Sequence, residues 1–290
     1  MEKTSVAIGI FDGVHAGHQE ILAEAARHGR VVALTFYPHP TSIFAPERTP
    51  SAIVSIDDRI SLLEEHGAAE VVVIEFTKEF ASKSPAEFIE EVLLKQLHAT
   101  HVTVGSNFTF GHKASGTVET LKELAHGFEV SAVQLREDRG SAISSTRIRN
   151  RIVDGDIERA NELLTRTFYL KGPVVHGEKR GRTIGYPTAN LGLAEHATIP
   201  ADGIYAGWLS VGDYRWAAAI SIGTNPTFPG VRGRQVEAYA IDQEGLELYD
   251  QEAKIEFVAR LRDTLKFDGL DPLLIQMAQD CAEAKKILGR

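Results

Sequence analysis

The chain has 290 residues and a mass of 31.7 kDa, with 43% hydrophobic and 24% charged residues and a formal net charge of −9. At roughly 150 residues per domain that length fits two domains, each large enough to bury a core. The acidic balance excludes nucleic acid or an anionic membrane as the main partner, since both need a clustered positive field.

In chain order, residues 5–11 form a compact apolar run, followed by a Gly-punctuated turn over 12–17. Helical spacing follows over 19–27 (Ile21, Leu22, Ala25), then an apolar strand over 31–36. The alternation continues with a helix at 56–66, a strand at 70–76, a helix at 85–97 and a strand at 101–104. A helix at 118–125 and a strand at 129–135 complete it. Mostly apolar strands separated by helices predict a parallel sheet covered on both faces, with ligands at the carboxyl ends of its strands. Two short helices follow at 146–153 and 157–164, and the domain boundary is placed at Arg166, giving domains 1–166 and 167–290.

From Phe168 the texture changes to short strands with Gly-containing breaks. Strands at 204–211 and 215–222 join across Gly212-Asp213, and strands at 235–241 and 247–260 join across Gln243-Glu244-Gly245. This spacing predicts a closed or nearly closed antiparallel barrel, ended by a helix over 272–288. The single cysteine, Cys281, allows no intrachain disulfide and fits a reducing compartment. The first apolar run, interrupted by Asp12, is too short for a signal-peptide core or a membrane span, so a cytoplasmic location is expected. Oligomeric state is not legible.

Two clusters carry chemistry. Gly9 to His18 joins the first strand to the first helix, where unpaired N–H groups and the positive helix end make an anion site. Gly13 and Gly17 let the backbone approach a phosphate, and the His15 and His18 imidazoles can donate hydrogen bonds to a pentavalent α-phosphate. The four residues His15 to His18 alone suit equally a tight turn with surface histidines; the strand-turn-helix context favours phosphate. No G-x-G-x-x-G stands at this turn, which argues against a dinucleotide loop. A second element, Ser144-Ser145-Thr146-Arg147-Ile148-Arg149, has the form of a helix N-cap. Its hydroxyls and Arg149 would grip the outer phosphates, or it is an ordinary cap with solvated arginines.

In the second half, Gly177 to Asn190 is dense in glycine and cations. It is not a Walker A loop: Gly177 and Gly181 are too close, Arg182 replaces lysine and no helix follows. A basic Gly loop can still cover phosphates, and the oxygens of Thr188 and Asn190 suit a hard cation. Alone, this stretch reads as well as a hairpin loop with a Pro-initiated turn. Glu237 stands among apolar and aromatic strand neighbours and is not separable from other acids by composition.

Gly9-x-Phe11-Asp12-Gly13-Val14-His15-x-Gly17-His18, Thr35-Phe36-Tyr37-Pro38-His39-Pro40, Gly105-Ser106-Asn107-Phe108 and Ser144-Ser145-Thr146-Arg147-Ile148-Arg149 occur in this order. Together they resemble the adenylyltransferase half of the bacterial bifunctional riboflavin kinase/FMN adenylyltransferase family, within the HxGH nucleotidylyltransferases. Gly177-x-x-x-Gly181-Arg182, Pro187-Thr188-Ala189-Asn190, Gly223-Thr224-Asn225-Pro226, the Val236-Glu237 strand and Leu261-Arg262-Asp263 resemble its riboflavin kinase half. The resemblance covers essentially the whole chain. It implies that Gly9, Phe11, Asp12, His15 and His18 line an ATP site, with Asn107 on the nucleotide and Ser145, Thr146 and Arg149 on its phosphates. In the barrel it implies that Gly177, Gly181 and Arg182 cover the phosphates of a second ATP and that Thr188 and Asn190 bind Mg²⁺–ATP. Glu237 would then be the general base and Arg262 a residue of the flavin side. The implied ligands are riboflavin, FMN, FAD, ATP and Mg²⁺. Asn107 stands where many members have Asp, Tyr239 where His is frequent, Asp250 where Gly is, and Thr264 where Glu is. The alternative is an HxGH transferase for another phosphorylated acceptor, with a degenerate flavin-binding C-terminal module.

Overall fold

The computed structural model describes residues 3–176, 185–224 and 234–290. The chain divides into two compact units, Met1–Ser145 and Thr146–Arg290.

The first unit alternates strands and helices as expected: β1 (Thr4–Ile8), α1 (Ala16–Ala26), β2 (Arg30–Tyr37), α2 (Pro40–Phe44), α3 (Ile56–Glu65) and β3 (Glu70–Glu75). Short α4 (Lys78–Ala81) and α5 (Pro85–Glu87) follow, the latter running on as a π-helix over Phe88–Gln96. Next come β4 (His101–Gly105), α6 (Val118–Glu123), β5 (Glu129–Val133) and a small hairpin of β6 (Glu137–Asp138) with β7 (Ser141–Ala142). All five main strands are parallel, in the order β3-β2-β1-β4-β5. The central strands β1, β2 and β4 are buried almost throughout, whereas the edge strands β3 and β5 are only partly so. That is the pattern of a sheet covered on both faces. The direction of strand ordering reverses between β1 and β4, so the fold offers its ligand crevice beyond the carboxyl ends of those two strands.

Helix α7 (Ser145–Val153) begins at the last residue of the first unit, and α8 (Ile157–Leu164) groups with the barrel. α8 precedes the boundary expected at Arg166 and bonds to strands of the barrel. Asn161 Nδ2 donates to Phe257 O (2.9 Å), and Asn161 Oδ1 accepts from Phe168 N (2.7 Å).

The second unit contains β8 (Phe168–Val175), β9 (Thr188–Leu191), β10 (Gly203–Val211), β11 (Tyr214–Thr224), β12 (Arg234–Ala240), β13 (Glu252–Arg262) and the terminal helix α9 (Leu270–Ile287). The six strands close into a barrel in the order β10-β11-β12-β9-β8-β13. Tyr205, Phe168 and Phe257 fill it, with ring centroids 5.6–5.8 Å apart. The Tyr205 hydroxyl meets Ala201 O at 2.6 Å, so burial of the ring leaves no polar atom unpaired.

The hairpin across Gly212-Asp213 forms as expected, with Val211 opposite Tyr214. The one expected across Gln243-Glu244-Gly245 does not. β12 pairs with β11 and β9, and β13 pairs with β10 and β8. The reason is local. Asp242 and Asp250 both take positive φ (59° and 60°), so the intervening segment leaves the sheet instead of returning along it. The space beside β12 is taken by β9, a four-residue strand that the Pro-Thr-Ala-Asn stretch was too short to announce.

Candidate functional site

In the first unit the β1–α1 turn carries the histidines at the predicted crevice. His15 is the N-cap of α1 and is 4% exposed, and α1 has no acidic residue in its first turn to oppose an anion. The His15 and His18 rings stack with centroids 3.6 Å apart and planes 19° from parallel, while Phe11 meets His18 edge-on at 5.2 Å. Gly17 makes room for this stack, because a Cβ there would lie 3.3 Å from His15 Cε1. Burial first, then the His15 imidazole and the Arg59 guanidinium, hold His18 well below the usual 6.5, so it is neutral near pH 7.

The turn itself is strained. Phe11 and Val14 have φ of 54° and 38°, a region that costs a non-glycine residue about 1–3 kcal/mol; Gly13 (φ 83°) takes it without that penalty. What holds the turn is Asp12. Its carboxylate accepts from Ile53 N (3.0 and 3.2 Å) and Val54 N (3.4 Å), and its carbonyl accepts from Ser145 Oγ (2.8 Å). Gln19 Nε2 adds a bond to Val14 O (3.0 Å). Asp12 therefore organises the backbone, and Ser145 ties the second phosphate motif to the first. Gly9 lies just beyond β1 against the Phe11 ring. Asn107 is exposed in the turn after β4, the strand beside β1, and so at the same end of the sheet. Thr146 and Arg149 follow Ser145 on α7, in the part grouped with the second unit.

In the barrel, Glu237 of β12 stands opposite Asn190 of β9, and Tyr239 opposite Thr188. Directly opposed residues share a face, so all four project from one wall. Thr188 Oγ1 donates to Glu237 Oε2 at 3.0 Å. The bond orients the carboxylate and turns the hydroxyl lone pairs away from it, free for a cation. Thr188 and Asn190 also border a cavity of about 360 Å³ whose walls include Leu209, Ala238, Leu248 and Tyr249. Gly177, Gly181 and Arg182 lie outside the described residues.

A sequence profile for FAD synthetase matches residues 1–147, and one for riboflavin kinase matches residues 164–288. The bifunctional riboflavin kinase/FMN adenylyltransferase of Bacillus subtilis (strain 168) is 34% identical, covering 97% of this chain and 92% of its own. That of Listeria monocytogenes is 36% identical, covering 95% and 89%. The chain belongs to the bifunctional riboflavin kinase/FMN adenylyltransferase family. Riboflavin kinase and FMN adenylyltransferase are accordingly its two activities, one for each matched half. A crystal structure from Streptococcus pneumoniae, described as a macrolide-efflux protein, is also similar, with a TM-score of 0.87 at 34% identity over 96% of this chain and 92% of that one. Among the described residues of this family member, no helix is long and apolar enough to cross a membrane.

Three features of the two sites escaped the sequence reading. Arg59, from α3, is buried within electrostatic reach of His18; it occupies the face of α3 that also buries Leu62 and Leu63, so a charge at an apolar phase was the available signal. The cavity beside Thr188 is walled in part by Gln243 and Gly245–Tyr249, in the segment that leaves the sheet, which no pattern announced. Asp280 is 4% exposed and takes Arg262 bidentately, Nε to Oδ1 at 2.8 Å and Nη2 to Oδ2 at 2.7 Å, with Gln276 Nε2 at 3.0 Å. Arg262 thus fastens α9 to β13. Removing one partner of such a pair leaves a buried charge unanswered. Asp280→Ala is expected to destabilise the kinase half by about 3–5 kcal/mol in urea denaturation; a loss under about 1 kcal/mol would mean that water already screens the pair.

Proposed function

We propose that the two activities use separate nucleotide sites working in series. In the barrel, Glu237 takes the proton of the riboflavin 5′-hydroxyl as that oxygen bonds to the γ-phosphorus of ATP, and ADP leaves. Its Oε2 is engaged by Thr188, which leaves Oε1 for the hydroxyl. The cavity bordered by Thr188 and Asn190 takes the nucleoside, with Tyr249 as an aromatic wall. Gly177, Gly181 and Arg182 cover the phosphates, and Arg262 serves the flavin side by holding α9. In the first unit, an FMN phosphate oxygen bonds to the α-phosphorus of a second ATP as the bond to the β-phosphate breaks. Gly9, Phe11 and Asp12 shape that site. His15 and His18 donate to the α-phosphate, Asn107 contacts the nucleotide, and Ser145, Thr146 and Arg149 hold the departing pyrophosphate.

The donor set fits Mg²⁺. Among the described residues no group of three or more His, Cys, Asp or Glu is placed to hold a metal, and Mg²⁺ on a nucleotide needs only one or two protein oxygens beside the phosphates. Thr188 and Asn190 would provide them, and the ion would neutralise charge on the transferring phosphoryl group. A cytoplasmic location completes the reading.

The observation that carries it is the Thr188–Glu237 hydrogen bond, which brings a metal-suited hydroxyl and a base together from strands far apart in sequence. The test is to incubate the purified chain with riboflavin, ATP and Mg²⁺ and to resolve FMN and FAD by chromatography. Both should form, FMN first, and both should cease when Mg²⁺ is replaced by a chelator. Undiminished FMN synthesis without a divalent ion would remove the metal from the scheme.

A further inference from the structure

Stacked imidazoles repel a second proton, and His18 is held neutral, so the His18 ring offers hydrogen bonds but no charge. Adenylyl transfer brings two anionic phosphate groups together, and a fixed buried cation would add to what Arg149 and Mg²⁺ offer them. Among the described residues Arg59 is the single buried Lys or Arg, at 5% exposure. Its Nη1 lies 3.4 Å from Thr35 Oγ1 and 3.3 Å from Phe36 O, at the carboxyl end of β2. Thr35 Oγ1 donates in turn to Ile10 O (3.0 Å), on the segment that leads into the histidine turn. The Nε of Arg59 is buried with no hydrogen-bond partner among the described residues. A buried donor left unmade costs about 1–3 kcal/mol, more when charged. Asp12 is a counter-charge to the guanidinium, and its carboxylate oxygens also accept from Ile53 and Val54. Tyr37 is the other titratable group facing Arg59, while His15 and Arg59 are those facing His18.

We propose that Arg59 is a positioning residue of adenylyl transfer, a buried fixed cation that acts on the crevice through His18 and the Thr35–Ile10 contact. The proposal rests on the reading of this crevice as the FMN adenylyltransferase site. The charge does two things there. It draws anionic phosphate toward the imidazoles, and it discourages protonation of His18, which therefore keeps one nitrogen as donor and the other bare.

The experiment follows FAD formation from FMN and ATP against pH in the wild-type chain, Arg59→Lys and Arg59→Gln, with circular dichroism as the fold control. Arg59→Gln should lose roughly 10²-fold in kcat. Its acidic limb should move to higher pH, because His18 freed of a positive neighbour protonates earlier on acidification. Arg59→Lys keeps the charge and should stay within roughly tenfold, with the limb in place. Equal loss at every pH in Arg59→Gln, or a displaced limb in Arg59→Lys, overturns the proposal and leaves Arg59 as packing. If Arg59→Gln does not fold, Arg59→Lys decides alone, an unmoved limb supporting the proposal and a displaced one ending it. A wild-type chain that makes no FAD from FMN would overturn the crevice reading itself, and the proposal with it.

Discussion

A Glu237→Gln chain is expected to phosphorylate riboflavin roughly 10²–10⁴-fold more slowly while still adenylylating supplied FMN at the wild-type rate. Glutamine matches glutamate in size, and its carbonyl can still accept from Thr188 Oγ1, so the β9–β12 wall should survive. What disappears is the site for the proton of the attacking hydroxyl. Without it the attacking hydroxyl must lose its proton to water, and the rate falls by the contribution of a positioned base. The measurement is the separate initial rate of FMN formation from riboflavin and of FAD formation from FMN. A variant that kept most of its kinase rate would exclude Glu237 as base. Loss of both rates in a folded variant would exclude the division of labour.

His15→Ala should give the converse, with FMN accumulating because its adenylylation slows by roughly 10²–10³-fold, the usual loss when one donor to a developing charge is removed. The stack makes His15 more than a lone donor. With centroids 3.6 Å apart, each ring restricts the other, and removing one leaves His18 able to swing. It also removes the like neighbour that helps hold His18 neutral, so the residual activity should fail at a higher pH than in the wild type. Riboflavin phosphorylation serves as the internal control. If FMN did not accumulate, the imidazole pair would not belong to the adenylyl-transfer step.

The parallel sheet was legible because strands buried on both faces are apolar without alternation, as in β1, β2 and β4, and because intervening helices keep their spacing. The barrel was legible only in part. The β10–β11 hairpin announces itself through Gly212-Asp213, whereas β9 is too short for a pattern and its pairing with β12 is a closure event between distant segments. The Gln243-Glu244-Gly245 stretch misled because a turn signal says that the chain bends, not which strand it rejoins. Within the sites, residue types with few structural uses at a strand-helix turn, His15 and His18, stood out. Roles set by distance did not. Asp12 grips Ile53 and Val54 across the fold, and Asp280 meets Arg262 only once the barrel and α9 are packed.

The left-handed backbone at Phe11 and Val14 has a consequence for how this half of the molecule can change over time. Heat resistance is cheaply gained by relaxing such positions, for example with glycine at 14, yet the same relaxation would let the imidazoles drift from the spot where a phosphate arrives. Gains in robustness should therefore collect in the sheet and in the barrel, leaving this tense corner as a fixed point around which the rest is free to harden.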